Sequence, residues 1–286
     1  MSERVRVGLC QVSGEPYDAD GNRTATVGAV RDAFARGADL ALLPELVVPG
    51  YVSDRERLEP LAEPLDGPTV GAWSELAAEA GRWVAGGFCE RDGDALYNSV
   101  AVVGPEGLVL HYRKLHLFAS EKLAFAPGDL GLPVADTPFG RIGVCVCYDL
   151  RFVETTRVLA LRGADLILVP TAWIPGFDGV RYDEHGLAPQ VKNAVLQANL
   201  NQVFIACASQ AGRHGELDFL GSSLLVDPWG TTLAGPMSHD DDGLEVVEVD
   251  LAQAEQAQTR IPLVEPRADR RTDVYGIALV GEGTVL

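Results

Sequence analysis

The chain has 286 residues, 47% of them hydrophobic and 22% charged, which is enough apolar content for a large buried core and too little bias for a disordered or fibrous protein. Its formal net charge of −18, from 41 acidic and 23 basic residues, argues against nucleic acid or an anionic membrane as a partner, since either calls for a basic footprint. No apolar run reaches the roughly 18–20 residues that cross a bilayer. "MSERVRVGLCQV" enters an alternating pattern with no signal-peptide core. Cys10, Cys89, Cys145, Cys147 and Cys207 are scattered, mostly in apolar runs, as free thiols of a reducing compartment would be. A cytoplasmic location is expected.

In chain order, the alternation of "VRVGLCQV" predicts a strand. Ala and Val at helical spacing predict a helix over 22–36 that stops at Gly37, and "DLALLPE" (39–45) a short strand closed by Pro44. A second helix is expected over 70–81, ending on Gly81. Strands follow over 83–90, 98–104 and 108–114, the last two joined by a "PEG" turn. "RIGVCVCYD" (141–149) reads as a strand with Cys145 and Cys147 on one side. Then come a helix over 153–162, a strand over 165–169, a helix over 189–200, and strands over 203–209, 223–230 and 244–250. "SHDDDGLE" reads as a solvated turn and the Arg- and Pro-rich stretch from about 261 to 286 as an extended tail. No repeat or linker divides the chain, so one α/β domain over 1–286 is expected.

Several catalytic signatures are missing: the phosphate-binding P-loop, GxGxxG after the first strand, HExxH and GxSxG. "CVC" is not the CxxC of redox pairs, and His116 and His185 lie too far away in sequence to complete a zinc site with it. Neither metal nor cofactor is expected. What remains is a polar residue at each of three strand ends, Glu45 after "LALLP", Lys114 after "LVLHYR" and Cys147 after "RIGVCV". Strand ends are where α/β sheets bind ligands. A thiol is mostly protonated at neutral pH and attacks a carbonyl carbon only if a base takes its proton or a cation stabilises the thiolate. Glu45 can be that base. Lys114 can be that cation and can hold the oxyanion that follows.

"LLPELVVPGY", "YRKLHLF" and "CVCYDLRF" resemble the three catalytic blocks of the nitrilase (carbon–nitrogen hydrolase) superfamily, and "LYNSVAVVGPEG", "FAPGD", "GADLILVPTAW", "DPWG" and "RIPLVEPRADRRTDVYG" fall in that family's order. The resemblance implies a four-layer α-β-β-α sandwich and a Glu–Lys–Cys triad of Glu45, Lys114 and Cys147. It also implies a second glutamate at Glu121 that orients the lysine, and an oxyanion donor in the Tyr148 N–H. Arg151 either grips a substrate carboxylate or is structural. Tyr51, Trp173 and Phe118 are expected in the substrate pocket, and Asp149 as a structural hydrogen-bonding residue. The implied reaction is hydrolysis of a small primary amide or N-carbamoyl (ureide) compound. Nitrile hydrolysis is the alternative, and a non-catalytic binding relative the alternative of another class. A homodimer or larger homo-oligomer is implied.

Two departures from the family pattern stand out: Leu200 where an acid is common, and the insert 174–190, whose Asp178, Arg181, Asp183 and Glu184 either select a charged substrate or belong to a solvated loop.

Overall fold

The computed structural model describes residues 4–176, 179–279 and 284–285. The first half of the chain forms β1 (Arg4–Gln11), α1 (Ala19–Ala35), β2 (Leu40–Leu42), α2 (Arg55–Leu58), α3 (Pro68–Ala80), β3 (Trp83–Asp92), β4 (Ala95–Gly104), β5 (Gly107–Arg113) and α4 (Glu121–Ala124). The second half forms β6 (Val134–Thr137), β7 (Gly140–Val144), α5 (Val153–Leu161), β8 (Leu166–Thr171), α6 (Pro189–Asn201) and β9 (Phe204–Ser209). It continues with the small hairpin β10 (Arg213–His214) and β11 (Leu217–Asp218), then β12 (Leu224–Val226), β13 (Thr232–Ala234), β14 (Gly243–Asp250) and α7 (Ala252–Gln256).

Two six-stranded sheets result, in the orders β14-β1-β2-β3-β4-β5 and β13-β12-β9-β8-β7-β6. The strands alternate between two apolar surroundings rather than between core and water. Val5, Val7 and Leu9 of β1, Leu40 and Leu42 of β2, and Val100 and Val102 of β4 join the core that includes Ile142, Leu168 and Ile205 of the other sheet. Cys10, Ala41, Ala101 and Val103, one residue out of phase, pack instead with Val30 and Ala33 of α1 and Trp73 of α3. Both faces being covered explains why these strands read as near-continuous apolar runs. Helices α5 and α6 supply Val158, Leu159, Val191 and Ala194 to the second sheet. The layers are helix, sheet, sheet, helix, as expected. Each fully buried Leu or Ile contributes about 1.5–3 kcal/mol.

Helix stops match the sequence reading: Gly81 caps α3 in the left-handed region at φ 64°, and Gly37 follows α1 at φ 92°. Three differences matter. β7 ends at Val144, so strand alternation does not reach Cys147, and residues 147–151 form a turn of 3-10 helix. β12 ends at Val226, because Asp227 Oδ1 accepts the Trp229 and Thr231 N–H groups and closes a turn. The acidic loop is pinned as well as solvated, since Gln11 Nε2 donates to the Ser238 and Asp241 carbonyls, each at 2.7 Å.

Candidate active site

β2 and β5 run in the same direction in the first sheet, and β7 and β8 in the second, so their C-terminal ends carry the residues that converge. After β2, Pro44 lacks a strand donor and the chain turns. This turn packs on Gly87 of β3, whose N–H donates to the Pro44 carbonyl at 3.0 Å. A Cβ at Gly87 would stand 2.7 Å from the Glu45 Cα. Glu45 is completely buried. Its carbonyl accepts from Gln210 Nε2 (2.9 Å), and its Oε1 from Asn98 Nδ2 and Lys114 Nζ (both 2.7 Å). Its Oε2 has no hydrogen-bond partner among the described residues.

Lys114 leaves β5 with its N–H on the Asn98 carbonyl and its own carbonyl held by the Gly128 N–H, both 2.8 Å. Its ammonium bridges Glu45 Oε1 and Glu121 Oε1 (2.8 Å) with no exposed side-chain surface. Glu121 opens α4. Its Oε1 also accepts from Tyr51 Oη (2.5 Å) and its Oε2 from the Phe118 N–H (2.9 Å). Cys147 begins the 3-10 turn after β7. The Ala172 N–H, just past β8, hydrogen-bonds its sulfur, while the neighbouring Thr171 carbonyl accepts from the Glu45 N–H at 3.4 Å. One short segment thus ties Glu45 of the first sheet to Cys147 of the second.

Leu46, Ala119 and Cys147, one in each loop that carries these groups, hold φ of 42°, 45° and 45° without being glycine. Such backbone costs about 1–3 kcal/mol per residue and persists only where the surroundings impose it.

Burial pushes the Glu45 carboxyl up to about 7, Lys114 pulls against that, and Glu121 adds to it. Burial works against the Lys114 ammonium, but Glu121 and Glu45 outweigh it and hold Lys114 well above its ordinary value. Burial, then the Glu45 charge, pushes the Cys147 thiol up against the pull of Lys114. These shifts favour the protonated thiol at Cys147.

Cys147 lines a pocket enclosing about 460 Å³ of atom-free space, part of it open to solvent. Tyr51, Phe118, Tyr148, Arg151 and Trp173 all line it with Cys147. Phe118 meets the Tyr148 ring edge-on at 5.2 Å, and Tyr148 meets Phe152 the same way. Asp149 stays out of the pocket. Its carboxylate accepts from Tyr112 Oη, the Val146 N–H and the His116 N–H, and pairs with His116 Nδ1, which ties β5 to the Cys147 turn.

A family model described as carbon-nitrogen hydrolase matches residues 6–259. The chain belongs to the carbon-nitrogen hydrolase family. It is 34% identical to a nitrilase from Pyrococcus abyssi over 273 residues, covering 95% of this chain and 99% of the relative. It is 31% identical to an omega-amidase from Homo sapiens, covering 96% and 98%. The structure of the Nesterenkonia sp. AN1 amidase with acrylamide superposes with a TM-score of 0.76 at 26% identity, over 95% of this chain and 96% of that one. The protein is a hydrolase of C–N bonds with the nitrilase-superfamily fold.

Among the described residues, the charges of the 174–190 insert pair away from the pocket. Arg181 pairs with Asp218, Asp183 with Lys192 at 2.5 Å, and Glu184 lies on the surface beside His185 at 3.7 Å, while Asp178 lies outside the described residues. The insert's ends, Ile174 and Gln190, line the pocket instead. Leu200 is half-exposed on α6, and its carbonyl accepts from Arg157 at 2.9 Å. Sequence reasoning gave no role to Asn98, Gln210, Gln190 or Asn193. Asn98 had a signal, a polar residue beginning the otherwise apolar run "NSVAVVG". Among the described residues no group of His, Cys, Asp and Glu could hold a metal, and no helix is long and apolar enough to cross a membrane.

Proposed function

We propose that this protein hydrolyses a small primary amide or N-carbamoyl compound through a Cys147 thioester. The observation that carries the reading is a fully buried lysine gripped by two glutamates, all three acting electrostatically on the one cysteine that lines the pocket. Cys147 Sγ attacks the carbonyl carbon as its proton passes to Glu45. Lys114 Nζ and the Tyr148 N–H take the charge that develops on the oxygen. Collapse breaks the C–N bond, and the proton on Glu45 leaves with ammonia. Glu45 then takes a proton from water, which attacks the thioester and frees the acid and the Cys147 thiol. Glu121, fixed by Tyr51 and the Phe118 N–H, keeps the lysine aimed. A Nesterenkonia amidase carries covalent addition of the acetamide moiety of fluoroacetamide at its active-site cysteine, which supports a cysteine nucleophile here.

Ammonia release from matched amides, ureides and nitriles tests the substrate class. Activity on nitriles alone overturns it in favour of the nitrile alternative, which the Pyrococcus relative's name supports. Arg151 lines the pocket, and a guanidinium suits a substrate carboxylate. An Arg151→Ala change that raises KM only for carboxylate-bearing amides supports that grip, and an equal rise for neutral amides assigns a structural role. The exposed apolar side chains Val153, Leu196, Leu200, Ile261, Val274 and Tyr275 lie on α5, α6 and the tail, and we place a homodimer contact there, to be tested by sedimentation. Free buried thiols suit a reducing cytoplasm.

A further inference from the structure

The pocket holds a polar group that the chemistry above leaves unused. Gln190, the second residue of α6, lines it. Its Nε2 reaches the Ile174 carbonyl at a long 3.5 Å, and its Oε1 is buried with no hydrogen-bond partner among the described residues. A carbonyl only accepts, so the NH2 end belongs on Ile174 and the oxygen is the end left over. The last torsion of a glutamine side chain is broad, so the amide turns toward a ligand at little cost. The rest of the wall is mostly aromatic or aliphatic: Tyr51, Phe118, Tyr148, Trp173, Leu150 and Ile174. No Asp or Glu lines the pocket among the described residues, although the chain carries a net charge of −18. A cationic tail would meet the like charge of Arg151 there, with no carboxylate among the described lining residues. An aliphatic tail would leave the Gln190 oxygen unpaired in a drier site.

We propose that Gln190 determines specificity by accepting a hydrogen bond from an uncharged donor, a hydroxyl or amide N–H, on the acyl part of the substrate. The favoured substrate is then an amide with an apolar stem and a neutral polar head. This deepens the amidase reading and rests on it.

The test uses hexanamide and its isosteres in which the terminal methyl is replaced by hydroxyl or by ammonium. Binding is read by calorimetry on the Cys147→Ala protein and kcat/KM on the wild type. The hydroxyl isostere is expected to exceed hexanamide by about tenfold in both, which is about 1.4 kcal/mol, with the ammonium isostere weakest. Gln190→Leu is expected to bring the hydroxyl-to-methyl ratio to about one. Gln190→Glu, which keeps the shape and the acceptor, is expected to retain the hydroxyl preference and gain the ammonium isostere. Equal binding of hydroxyl and methyl by the Cys147→Ala protein overturns the assignment, as does a preference that survives Gln190→Leu. A binding preference that Gln190→Leu erases, in a protein that releases ammonia from none of the three, supports the assignment and overturns the amidase reading.

Discussion

Two cysteines two residues apart, Cys145 and Cys147, are chemically alike and differ in where the chain leaves them. Cys145 is fully buried in the inter-sheet core, with its N–H on the Leu168 carbonyl at 3.2 Å, whereas Cys147 reaches the pocket. Cys147→Ala is expected to abolish turnover with an unchanged far-UV circular dichroism spectrum. Cys145→Ala is expected to keep most of the activity and lose about 1 kcal/mol of stability; equal loss of turnover in both would mean the nucleophile is misassigned. In the proposed mechanism Glu45 must be ionised to take the thiol proton, and burial pushes its carboxyl up to about 7. Its ionised fraction falls as pH drops through that value, so kcat/KM should show an acid limb near pH 7. The absence of any acid limb would mean that another group is the base. Residue type and position at strand ends made Glu45, Lys114 and Cys147 legible in the sequence. The place of Asn98 at the head of an apolar run marks it without giving its partner, and Gln210 carries no mark, because each acts through a hydrogen bond to a residue far away in the chain.

Among the elements, β5 and the loop after α4 decide where the lysine points. Arg113, the residue before Lys114, spreads its guanidinium over Glu90 (2.6 Å), Asp92 (2.8 Å) and Asp129 (3.0 Å) and stacks on Tyr97. Gly128 closes against that strand end. A Cβ there would lie 2.0 Å from the Arg113 carbonyl oxygen, which is backbone and cannot swing away. Gly128→Ala is therefore expected to cost about 3 kcal/mol, the upper end for overpacking, and to lower kcat by displacing Lys114; a denaturant midpoint and a rate assay check the two effects. Long periodic elements such as α1, α3 and β3 were readable from the sequence because their pattern repeats over several turns or residues. The short ones, α2, α4 and β6, have four residues each, too few for a period to declare itself. β7 reads too long because Cys145 and Val146 stay buried after the ladder ends.

At the scale of the molecule, the candidate catalytic groups belong to different sheets, and sequence alone carries no register between sheets. Nor does it announce the pairing of strands from opposite ends of the chain, as β14 pairs with β1 within the first sheet. The two-sheet sandwich itself was legible only through the family resemblance. The fold also divides into regions that tolerate improvement and regions that do not. The left-handed backbones at Leu46, Ala119 and Cys147 would relax on substitution by glycine, but the relief would unmoor the groups they aim. The outer helices carry no such burden. Added Cβ atoms at Gly28 of α1 and Gly71 of α3 meet nothing within 4 Å, so Gly28→Ala and Gly71→Ala should each raise stability by about 0.5–1 kcal/mol without altering kcat, read by thermal melting and assay. An engineer seeking a hardier catalyst should therefore rebuild its rind and leave the strained loops at its centre untouched.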